Sequence, residues 1–375
     1  MNIIRVKNTE IKPLNIIKSR NYEKRILVTG GCGFIGSNFI RKMAPKYRNY
    51  LFVNFDALTY AGNLENFADV DNYNYEFFKG DIRNVDDIKN VFEQCGITDI
   101  IHFAAESHVD KSITSPKIFF ETNCLGTENL LDIARELWKE NFENHKIISM
   151  VTDEQFGSLG ENDEPFNENS SINPHSPYSA SKSCQYLIGK VYYETYGLPI
   201  IHLACGNAIG PNQYPEKLVP LTIDKLINKQ KIPIYGNGKQ KRDWTHVYDI
   251  CDAIDLLFHK GNNGELYCIG GDACVSNIEI VHTIINEYAE QTGENKDNLK
   301  KLITFINDPR GKAHDFRYDL NHQKITNEMG WNPKYTLNES VKNTIIWYLN
   351  NQNWIQHIKE GTYYNNWISF YYDKK

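Results

Sequence analysis

A Tyr–Lys pair and a triplet with two carboxylates are the residues of this chain best suited to chemistry. Tyr178 and Lys182 stand four positions apart in the run Tyr-Ser-Ala-Ser-Lys, so a helix would place both side chains on one face. An ammonium beside a phenol lowers the pKa of the phenol, so we expect Tyr178 to act as a base near neutral pH. The alternative is a chance pair on the surface of a helix.

The triplet Thr152-Asp153-Glu154 directly follows a predicted strand. Residues just beyond the carboxyl ends of parallel strands face the ligand crevice. Two adjacent carboxylates resist double ionisation, which favours one protonated acid and one ionised base. The alternative is a solvated acidic loop. Together with the Tyr–Lys pair, the triplet predicts that an alcohol is oxidised and that a group is also eliminated.

A glycine-rich turn lies between the first predicted strand and the first predicted helix. It satisfies both Gly-x-Gly-x-x-Gly and Gly-x-x-Gly-x-x-Gly in the run Gly30-Gly31-Cys32-Gly33-Phe34-Ile35-Gly36. Such a turn lets the backbone approach a pyrophosphate at the helix N-terminus. Asp56, at the end of the second predicted strand, can bind both ribose hydroxyls and would repel a 2′-phosphate. These residues predict NAD as the cofactor; the alternative for Asp56 is a cap of the following turn.

Further candidates follow the third and fourth predicted strands. Asp81 is a candidate adenine contact, and its alternative is the N-cap of the next helix. Ala104 and Ala105 are small enough to leave room for the cofactor to cross the sheet. His108 stands in a turn without a metal partner at helical spacing, and we assign it no chemistry.

The elements that must position these residues alternate between short apolar runs and longer amphipathic ones. The predicted strands are 25–29, 50–55, 75–78, 99–103, 146–151 and 198–203, and the main helices are 34–43, 123–139 and 178–196. This alternation predicts an α/β fold, a Rossmann-type doubly wound parallel sheet. After Gly210 the pattern loosens into a helix at 218–228, a strand at 233–235 and a helix at 247–259.

We therefore predict three parts of the chain: an extension of unknown role at 1–24, an NAD-binding domain at 25–205, and a region at 206–375. The last part is predicted to be mainly a smaller mixed α/β lobe for the substrate, with possible crossings back to the sheet.

Composition excludes several classes of protein. The 375 residues are 41% hydrophobic and 23% charged, as in a globular enzyme, and the net charge of −6 argues against nucleic acid binding. No apolar run reaches membrane-spanning length, and the N-terminus lacks a secretory apolar segment. The eight cysteines include no Cys-x-x-Cys pair, which favours reduced thiols in a cytoplasmic protein and no metal site.

Several motifs together resemble the nucleotide-sugar 4,6-dehydratases of the extended short-chain dehydrogenase/reductase group. The likeness is strongest to the enzymes that use dTDP-glucose and to their UDP-glucose-using relatives, and it runs from about Arg25 to Trp354. The motifs are Thr-Gly-Gly-x-Gly-Phe-Ile-Gly, Asp56-Ala57-Leu58-Thr59-Tyr60-Ala61-Gly62-Asn63, Ala-Ala-Glu-Ser-His-Val-Asp, Thr-Asp-Glu and Tyr-Ser-Ala-Ser-Lys.

The resemblance implies a catalytic role for each of the five residues. Tyr178 would take the C4 hydroxyl proton, with Thr152 bonded to that hydroxyl and Lys182 tuning Tyr178. Glu154 would remove the C5 proton, and Asp153 would protonate the departing C6 hydroxyl. Hydride would pass from C4 to NAD and back to C6, so the product would be a 4-keto-6-deoxy sugar and the cofactor would be regenerated.

The resemblance also implies binding residues and an assembly. The further cofactor contacts are Leu58, Thr59, Ile82, Ser107 and Thr122, with Tyr178 and Lys182 again. The substrate contacts are Ser107, Thr152, Asn207, Lys217, Leu218, Pro233, Tyr235, Arg242 and Asn277. By itself Arg242 would be equally well explained by a surface ion pair. The resemblance further implies a homodimer through helices 123–139 and 178–196, and a role in the biosynthesis of a deoxysugar such as rhamnose.

The chain departs from the family pattern in two places that bear on binding. Ala208 and Ile209 stand where the family has Asn and Tyr, so one hydrogen bond near the nicotinamide is lost, at a cost of about 1 kcal/mol. The segment 308–315 is longer than the family's Arg-Pro-Gly-His-Asp, which leaves the contacts of Arg310 and His314 open.

Two other functions compete with dehydration. A nucleotide-sugar 4-epimerase or decarboxylase needs the Tyr–Lys pair but not the two carboxyls, and a non-catalytic binding protein needs neither. The triplet favours the dehydratase, while the choice between thymine and uracil stays open.

Overall fold

A parallel sheet of seven strands positions the site. The structure is a computed structural model that describes residues 21–70, 73–139 and 141–371. Most of the predicted extension at 1–24 therefore lies outside the described residues. The strands of the described chain are β1 Lys24–Thr29, β2 Tyr50–Asp56, β3 Tyr75–Lys79, β4 Asp99–His102, β5 Lys146–Thr152, β6 Ile200–Cys205, β7 Asn207–Ile209, β8 Ile232–Tyr235, β9 Lys241–His246, β10 Leu266–Ile269, β11 Cys274–Ser276, β12 Ile303–Ile306 and β13 Arg317–Tyr318.

The large sheet has the strand order β10-β6-β5-β4-β1-β2-β3, with every pair parallel. This confirms the predicted doubly wound Rossmann-type fold. In the register, Thr29 pairs with His102, and Thr152 pairs with Cys205. The carboxyl ends of β1, β4, β5 and β6 therefore meet at one edge of the sheet, where the predicted catalytic triplet stands.

Five of the six predicted strands agree with the structure to within one residue. The sixth was predicted at 198–203 and is wrong by two residues, because β6 begins at Ile200. The preceding helix ends at Gly197 in a left-handed conformation, and the amide of Leu198 donates to the carbonyl of Tyr192. Leu198 thus completes the end of the helix rather than opening the strand.

Helices cover both faces of the large sheet. In chain order they are α1 Phe34–Lys46, α2 Val85–Cys95, α3 Val109–Thr114, α4 Pro116–Phe119, α5 Gly126–Trp138, α6 Pro177–Tyr196, α7 Leu218–Ile227, α8 Val247–Lys260, α9 Asn277–Thr292, α10 Lys296–Lys300, α11 Gln323–Met329, α12 Leu337–Asn350, α13 Gln352–Glu360 and α14 Thr362–Tyr371. A π-helical turn, Phe120–Leu125, precedes α5, so the predicted helix 123–139 begins within that turn.

Strand β2 illustrates why the sheet is buried on both faces. Leu51, Val53 and Phe55 pack with the helices on one side, whereas Phe52 packs in the cluster on the other side. All four are at most 1% exposed, and each contributes about 1.5–3 kcal/mol by burial. Large apolar side chains buried on both faces are typical of a parallel strand that is covered on both sides.

The C-terminal region forms small sheets above the carboxyl edge of the large sheet. Strand β9 pairs with β7, β11 and β13, and β8 pairs in parallel with β12. The chain returns once to the large sheet, because β10 pairs with β6. The predicted boundary between residues 205 and 206 stays a prediction.

All eight cysteines carry free thiols. Within the described ranges, no helix is both long and apolar enough to span a membrane.

Candidate active site

A cavity of about 420 Å³ runs along the carboxyl edge of the large sheet and beneath the C-terminal lobe. Of the residues predicted for catalysis or binding, all but Leu58 line this cavity. The topology therefore brings the separate sequence motifs together at one site.

The glycine-rich turn is packed so closely that side chains cannot be added to it. Gly30 has a φ of +67°, and a Cβ on it would lie 2.6 Å from the amide nitrogen of Ala104. A Cβ on Gly36 would lie 2.5 Å from the carbonyl oxygen of Gly30. The turn thus presents bare backbone at the start of α1, the arrangement that receives a pyrophosphate.

Asp56 is fixed at the end of β2 by two backbone donors. Its Oδ2 accepts from the amide of Cys32 at 2.9 Å, and its Oδ1 accepts from the amide of Leu58 at 2.8 Å. Burial raises the pKa of Asp56. Leu58 has a φ of +52° and does not line the cavity. Its backbone amide positions Asp56, and its side chain does not face a ligand in the cavity.

Asp81 lines the cavity beside Ile82. Its carboxylate accepts from Nε of Arg83 at 3.0 Å and from the Arg83 amide at 2.9 Å. The N-cap of α2 is Asn84, whose side chain accepts from the amide of Asp86, so the capping alternative for Asp81 is wrong.

Asn123 ties the loop after β4 to the catalytic helix. Its side-chain amide accepts from the amide of Glu106 at 2.9 Å and donates to the Glu106 carbonyl at 3.0 Å. It also donates to Oγ of Ser181 at 2.8 Å, on α6. Sequence reasoning missed this residue, because an Asn in a predicted helix gives no sign of its partners.

His108 has a structural role. Its Nδ1 accepts from the amide of Lys111 at the N-cap of α3, and burial lowers the pKa of His108 to about 3. The imidazole is therefore neutral, and the assignment of no chemistry to His108 stays a prediction.

Thr152 links the two catalytic motifs. It ends β5, and its Oγ1 donates to Oδ1 of Asp153 at 3.1 Å and accepts from the amide of Glu154 at 3.3 Å. Its hydroxyl also acts to lower the pKa of Tyr178. The short 3₁₀ turn Asp153–Phe156 then holds both carboxyls in the cavity wall.

Asp153 is buried and Glu154 lines the cavity, so the acidic-loop alternative is wrong. Asp153 is 3% exposed, and its Oδ2 has no hydrogen-bond partner among the described residues. Burial, and then the charge of Glu154, raise the pKa of Asp153 to about 8, which keeps it largely protonated at neutral pH. Burial also raises the pKa of Glu154, but the charges of Arg310 and Arg242 act in the opposite direction.

Helix α6 presents Tyr178 and Lys182 to the cavity. A capping box between Ser176 and Ser179 starts the helix. Burial, and then the charge of Glu154, raise the pKa of Tyr178 above its ordinary value, while the hydroxyl of Thr152 acts to lower it.

The prediction that Lys182 lowers the pKa of Tyr178 is wrong for this arrangement. Nζ of Lys182 donates to the carbonyl of Met150 at 2.7 Å and to Oε1 of Gln185. Burial lowers the pKa of Lys182 itself to about 7. The ammonium is thus directed to two oxygens of the protein, and burial of the phenol dominates the pKa of Tyr178.

Arg242 enters the cavity wall from β9 without a carboxylate partner among the described residues. Its Nη1 donates to the Lys241 carbonyl at 2.7 Å and its Nη2 to the Asp315 carbonyl at 3.0 Å. The guanidinium lies 4.2 Å from the ring centroid of Tyr318. Arg242 is 5% exposed, so the surface ion pair alternative is wrong.

The other predicted substrate contacts come from separate elements of the lobe. Asn207 lies on β7, Pro233 and Tyr235 on β8, and Asn277 begins α9. Lys217 precedes α7, and its Nζ donates to the carbonyl of Ser107 at 2.9 Å.

The segment 308–315 is organised by Asp308. Its Oδ1 accepts from the amide of Arg310 at 3.0 Å, and its Oδ2 pairs with Nδ1 of His314. Both Arg310 and His314 line the cavity despite the added length. At the other departure, Ala208 lines the cavity, whereas Ile209 is fully buried in the core of the lobe.

Sequence reasoning missed Glu216 and Asp110, which also line the cavity. Oε1 of Glu216 accepts from the hydroxyl of Tyr60 at 3.1 Å, and burial raises the pKa of Glu216 to about 7. The sequence could have indicated both residues, because Glu216 adjoins the predicted substrate contact Lys217 and Asp110 ends the Ala-Ala-Glu-Ser-His-Val-Asp run.

The fold and site together define a dinucleotide-dependent enzyme of the short-chain dehydrogenase/reductase class. The bare glycine turn and the fixed carboxylate of Asp56 are the parts of the cavity that suit NAD. The chain belongs to the GDP-mannose 4,6 dehydratase family, which it matches over residues 27–344.

Curated relatives and solved structures agree with this assignment. The dTDP-glucose 4,6-dehydratase of Shigella flexneri is 41% identical over 365 residues, which cover 93% of this chain and 99% of that protein. The dTDP-glucose 4,6-dehydratase of Bacillus anthracis, solved with NAD, is 42% identical with a TM-score of 0.79, covering 90% of this chain and 100% of the other. The Streptomyces venezuelae enzyme of the same name, solved with NAD and TYD, is 36% identical with a TM-score of 0.82, covering 89% and 100%.

Proposed function

We propose that the protein is an NAD-dependent nucleotide-glucose 4,6-dehydratase. It would convert dTDP- or UDP-glucose to the 4-keto-6-deoxyglucose nucleotide and water. The observation that carries the proposal is that Asp153 and Glu154 share one cavity with Tyr178 and Lys182. A 4-epimerase or decarboxylase needs only the second pair, whereas an elimination needs an additional acid and base.

The cofactor would lie between the glycine turn and the catalytic helix. Gly30 to Gly36 would receive the pyrophosphate, and Asp56 the adenosine ribose. The cavity wall that would surround the other groups of NAD consists of Thr59, Asp81, Ile82, Ala104, Ala105, Ser107 and Thr122. When bound, NAD supplies the hydride acceptor and donor, and its nicotinamide carries a positive charge that favours deprotonation of a buried phenol.

Oxidation at C4 would be assisted by three side chains. Tyr178 would take the C4 hydroxyl proton, and Thr152, which lines the same cavity, would hold the same hydroxyl. Lys182 is anchored by the Met150 carbonyl on the same side of the helix and holds the nicotinamide ribose.

Elimination would use the two carboxyls in different protonation states. Glu154 removes the C5 proton, which the C4 carbonyl has made acidic, and the charges of Arg310 and Arg242 favour its ionised form. Asp153, protonated at neutral pH, gives its proton to the C6 hydroxyl, which leaves as water.

The lobe would bind the nucleotide half of the substrate. Arg242 has no carboxylate partner among the described residues, and it would bind the diphosphate together with Asn207. Pro233 and Tyr235 would stack against the base, and the remaining contacts come from Ser107, Lys217, Leu218 and Asn277.

We also propose a homodimer in the cytoplasm that serves deoxysugar biosynthesis. Large apolar side chains are exposed on the catalytic helix and in the π-helical turn before α5: Leu187 is 48% exposed, Val191 55% and Leu125 59%. Pairing these surfaces between two subunits would bury them in a helix bundle.

Incubation with dTDP-glucose and with UDP-glucose in parallel tests the proposed activity. We expect the mass of one or both to fall by that of water, with a 4-keto chromophore in base. No loss of water from either nucleotide would overturn the proposal, and the ratio of the two rates would identify the preferred base.

A further inference from the structure

Asp110 connects three elements in the wall of the cavity. It lies in α3, just after β4, and its side chain is 2% exposed. Its Oδ2 accepts from the hydroxyl of Tyr235 at 2.9 Å, and its Oδ1 pairs with Nε of Arg310. Tyr235 ends β8, and Arg310 follows β12, which pairs with β8. One carboxylate on α3 therefore binds Tyr235 at the end of β8 and Arg310 in the segment that follows β12.

The charge state of Asp110 differs from that of Asp153. Burial acts to raise the pKa of Asp110, but the charge of Arg310 and the bonds from Arg310 and Tyr235 outweigh it, and the pKa falls to about 2. Asp110 is therefore a carboxylate at neutral pH with both oxygens engaged. Removing such a charge leaves its buried cationic partner uncompensated.

The contact through Nε determines how Arg310 is presented. Among the described residues, none accepts a hydrogen bond from its two terminal nitrogens, and the guanidinium lies 5.7 Å from the ring centroid of Tyr235. Both side chains line the cavity. A guanidinium held at Nε keeps its terminal N–H groups for phosphate oxygens, and a phenol held at its hydroxyl has a fixed ring orientation.

We propose that Asp110 is a positioning residue for the nucleotide half of the substrate. It holds the Arg310 guanidinium toward the diphosphate and the Tyr235 ring toward the base, and does not itself contact the reacting sugar. This inference rests on the proposed function, because a nucleotide sugar is the ligand whose two ends these side chains would meet.

The test is Asp110→Asn in the NAD-loaded protein. We expect the KM for the sugar nucleotide to rise at least about tenfold, with kcat within about twofold of the wild type. The Kd for thymidine diphosphate or UDP, measured by titration calorimetry, should rise by the same factor. This titration needs no turnover, so nucleotide binding without dehydration would count against the proposed function alone.

Asp224→Asn provides a matched control. Asp224 is also buried and accepts from Lys359 at 2.8 Å and from Tyr364 at 3.5 Å, but it does not line the cavity. Asp224→Asn should lose stability and keep its KM and its nucleotide Kd. If Asp110 had only a structural role, Asp110→Asn would give this same pattern.

Two further variants keep the proposal open to refutation. Tyr235→Phe removes one hydroxyl and should raise the nucleotide Kd two- to fivefold. Adding Asp110→Asn to Arg310→Gln should weaken binding by no more than the two- to fivefold expected for Tyr235→Phe, because only the contact with Tyr235 is left to lose. The proposal is overturned by an unchanged nucleotide Kd in Asp110→Asn or, if that variant does not fold, in Tyr235→Phe. Additive losses in the double variant would also overturn it.

Discussion

Replacing Asp153 with Asn should stabilise the folded protein at neutral pH and abolish dehydration. The carboxyl is 3% exposed with an unpartnered Oδ2 among the described residues, and burial followed by the charge of Glu154 raises its pKa from 3.8 to about 8. In the unfolded chain it is ionised at pH 7. Folding at that pH therefore requires the carboxyl to take up a proton.

The size of the effect follows from the pKa difference. Roughly three pKa units separate pH 7 from the unfolded value, and each unit is worth about 1.4 kcal/mol, so protonation costs up to about 4 kcal/mol. Asn avoids this cost and can keep the acceptor for Thr152, which donates to Oδ1 at 3.1 Å. Because the folded pKa is raised, the stabilising contribution of the carboxyl is complete below pH 3.8 and is lost as the pH rises through about 8.

Denaturant unfolding at pH 5, 7 and 9 would measure this difference, with NAD held at one concentration because a bound ligand also stabilises. The stability gap between variant and wild type should widen from pH 5 to pH 9. Asp132→Asn is the control, since Asp132 is 43% exposed and paired with Arg135, and should change stability by at most about 0.5 kcal/mol. A gap that is absent at pH 7, or constant with pH, would refute the reasoning.

Three other substitutions have distinct expected outcomes. Glu154→Gln should slow elimination more than C4 oxidation, so that reduced cofactor accumulates in its near-ultraviolet absorbance; no reduced cofactor despite normal binding would argue against the assigned base. Arg242→Gln should raise the KM about 10- to 100-fold, since charged hydrogen bonds are worth about 1.5–3 kcal/mol, and an unchanged KM would exclude Arg242 from the diphosphate site. Gly36→Ala would place a Cβ 2.5 Å from the Gly30 carbonyl and should cost about 1–3 kcal/mol with loss of bound NAD; a stable variant with normal NAD content would contradict the close packing.

The parts of the fold that sequence predicted well are those with strong local signals. Strand β1, the glycine turn and α1 follow one another with apolar periodicity and turn chemistry that need no distant partner. The triplet at the end of β5 and the Tyr–Lys pair on α6 were predicted within one residue for the same reason, since a strand end and one helical turn are local features.

The parts that could not be predicted depend on contacts between distant segments. Asp110 contacts Tyr235 and Arg310, which lie 125 and 200 positions further along the chain. Asn123 contacts Ser181, which lies 58 positions further along. The pKa of Tyr178 was misjudged because the direction of Lys182 is set by Met150 and Gln185. Charge and burial at a site are properties of the packed structure, and spacing along the chain does not contain them.

The measurement that tests the central claim most directly is the fate of a deuterium placed at C4 of the glucosyl group. The nucleotide sugar would be incubated with the NAD-loaded protein, and the product analysed by mass spectrometry and NMR. Our account predicts loss of water and deuterium at C6, because hydride leaves C4 and returns to C6 of the same sugar. A product of unchanged mass with deuterium still at C4 would contradict it, because the two carboxyls would then take no part in the reaction.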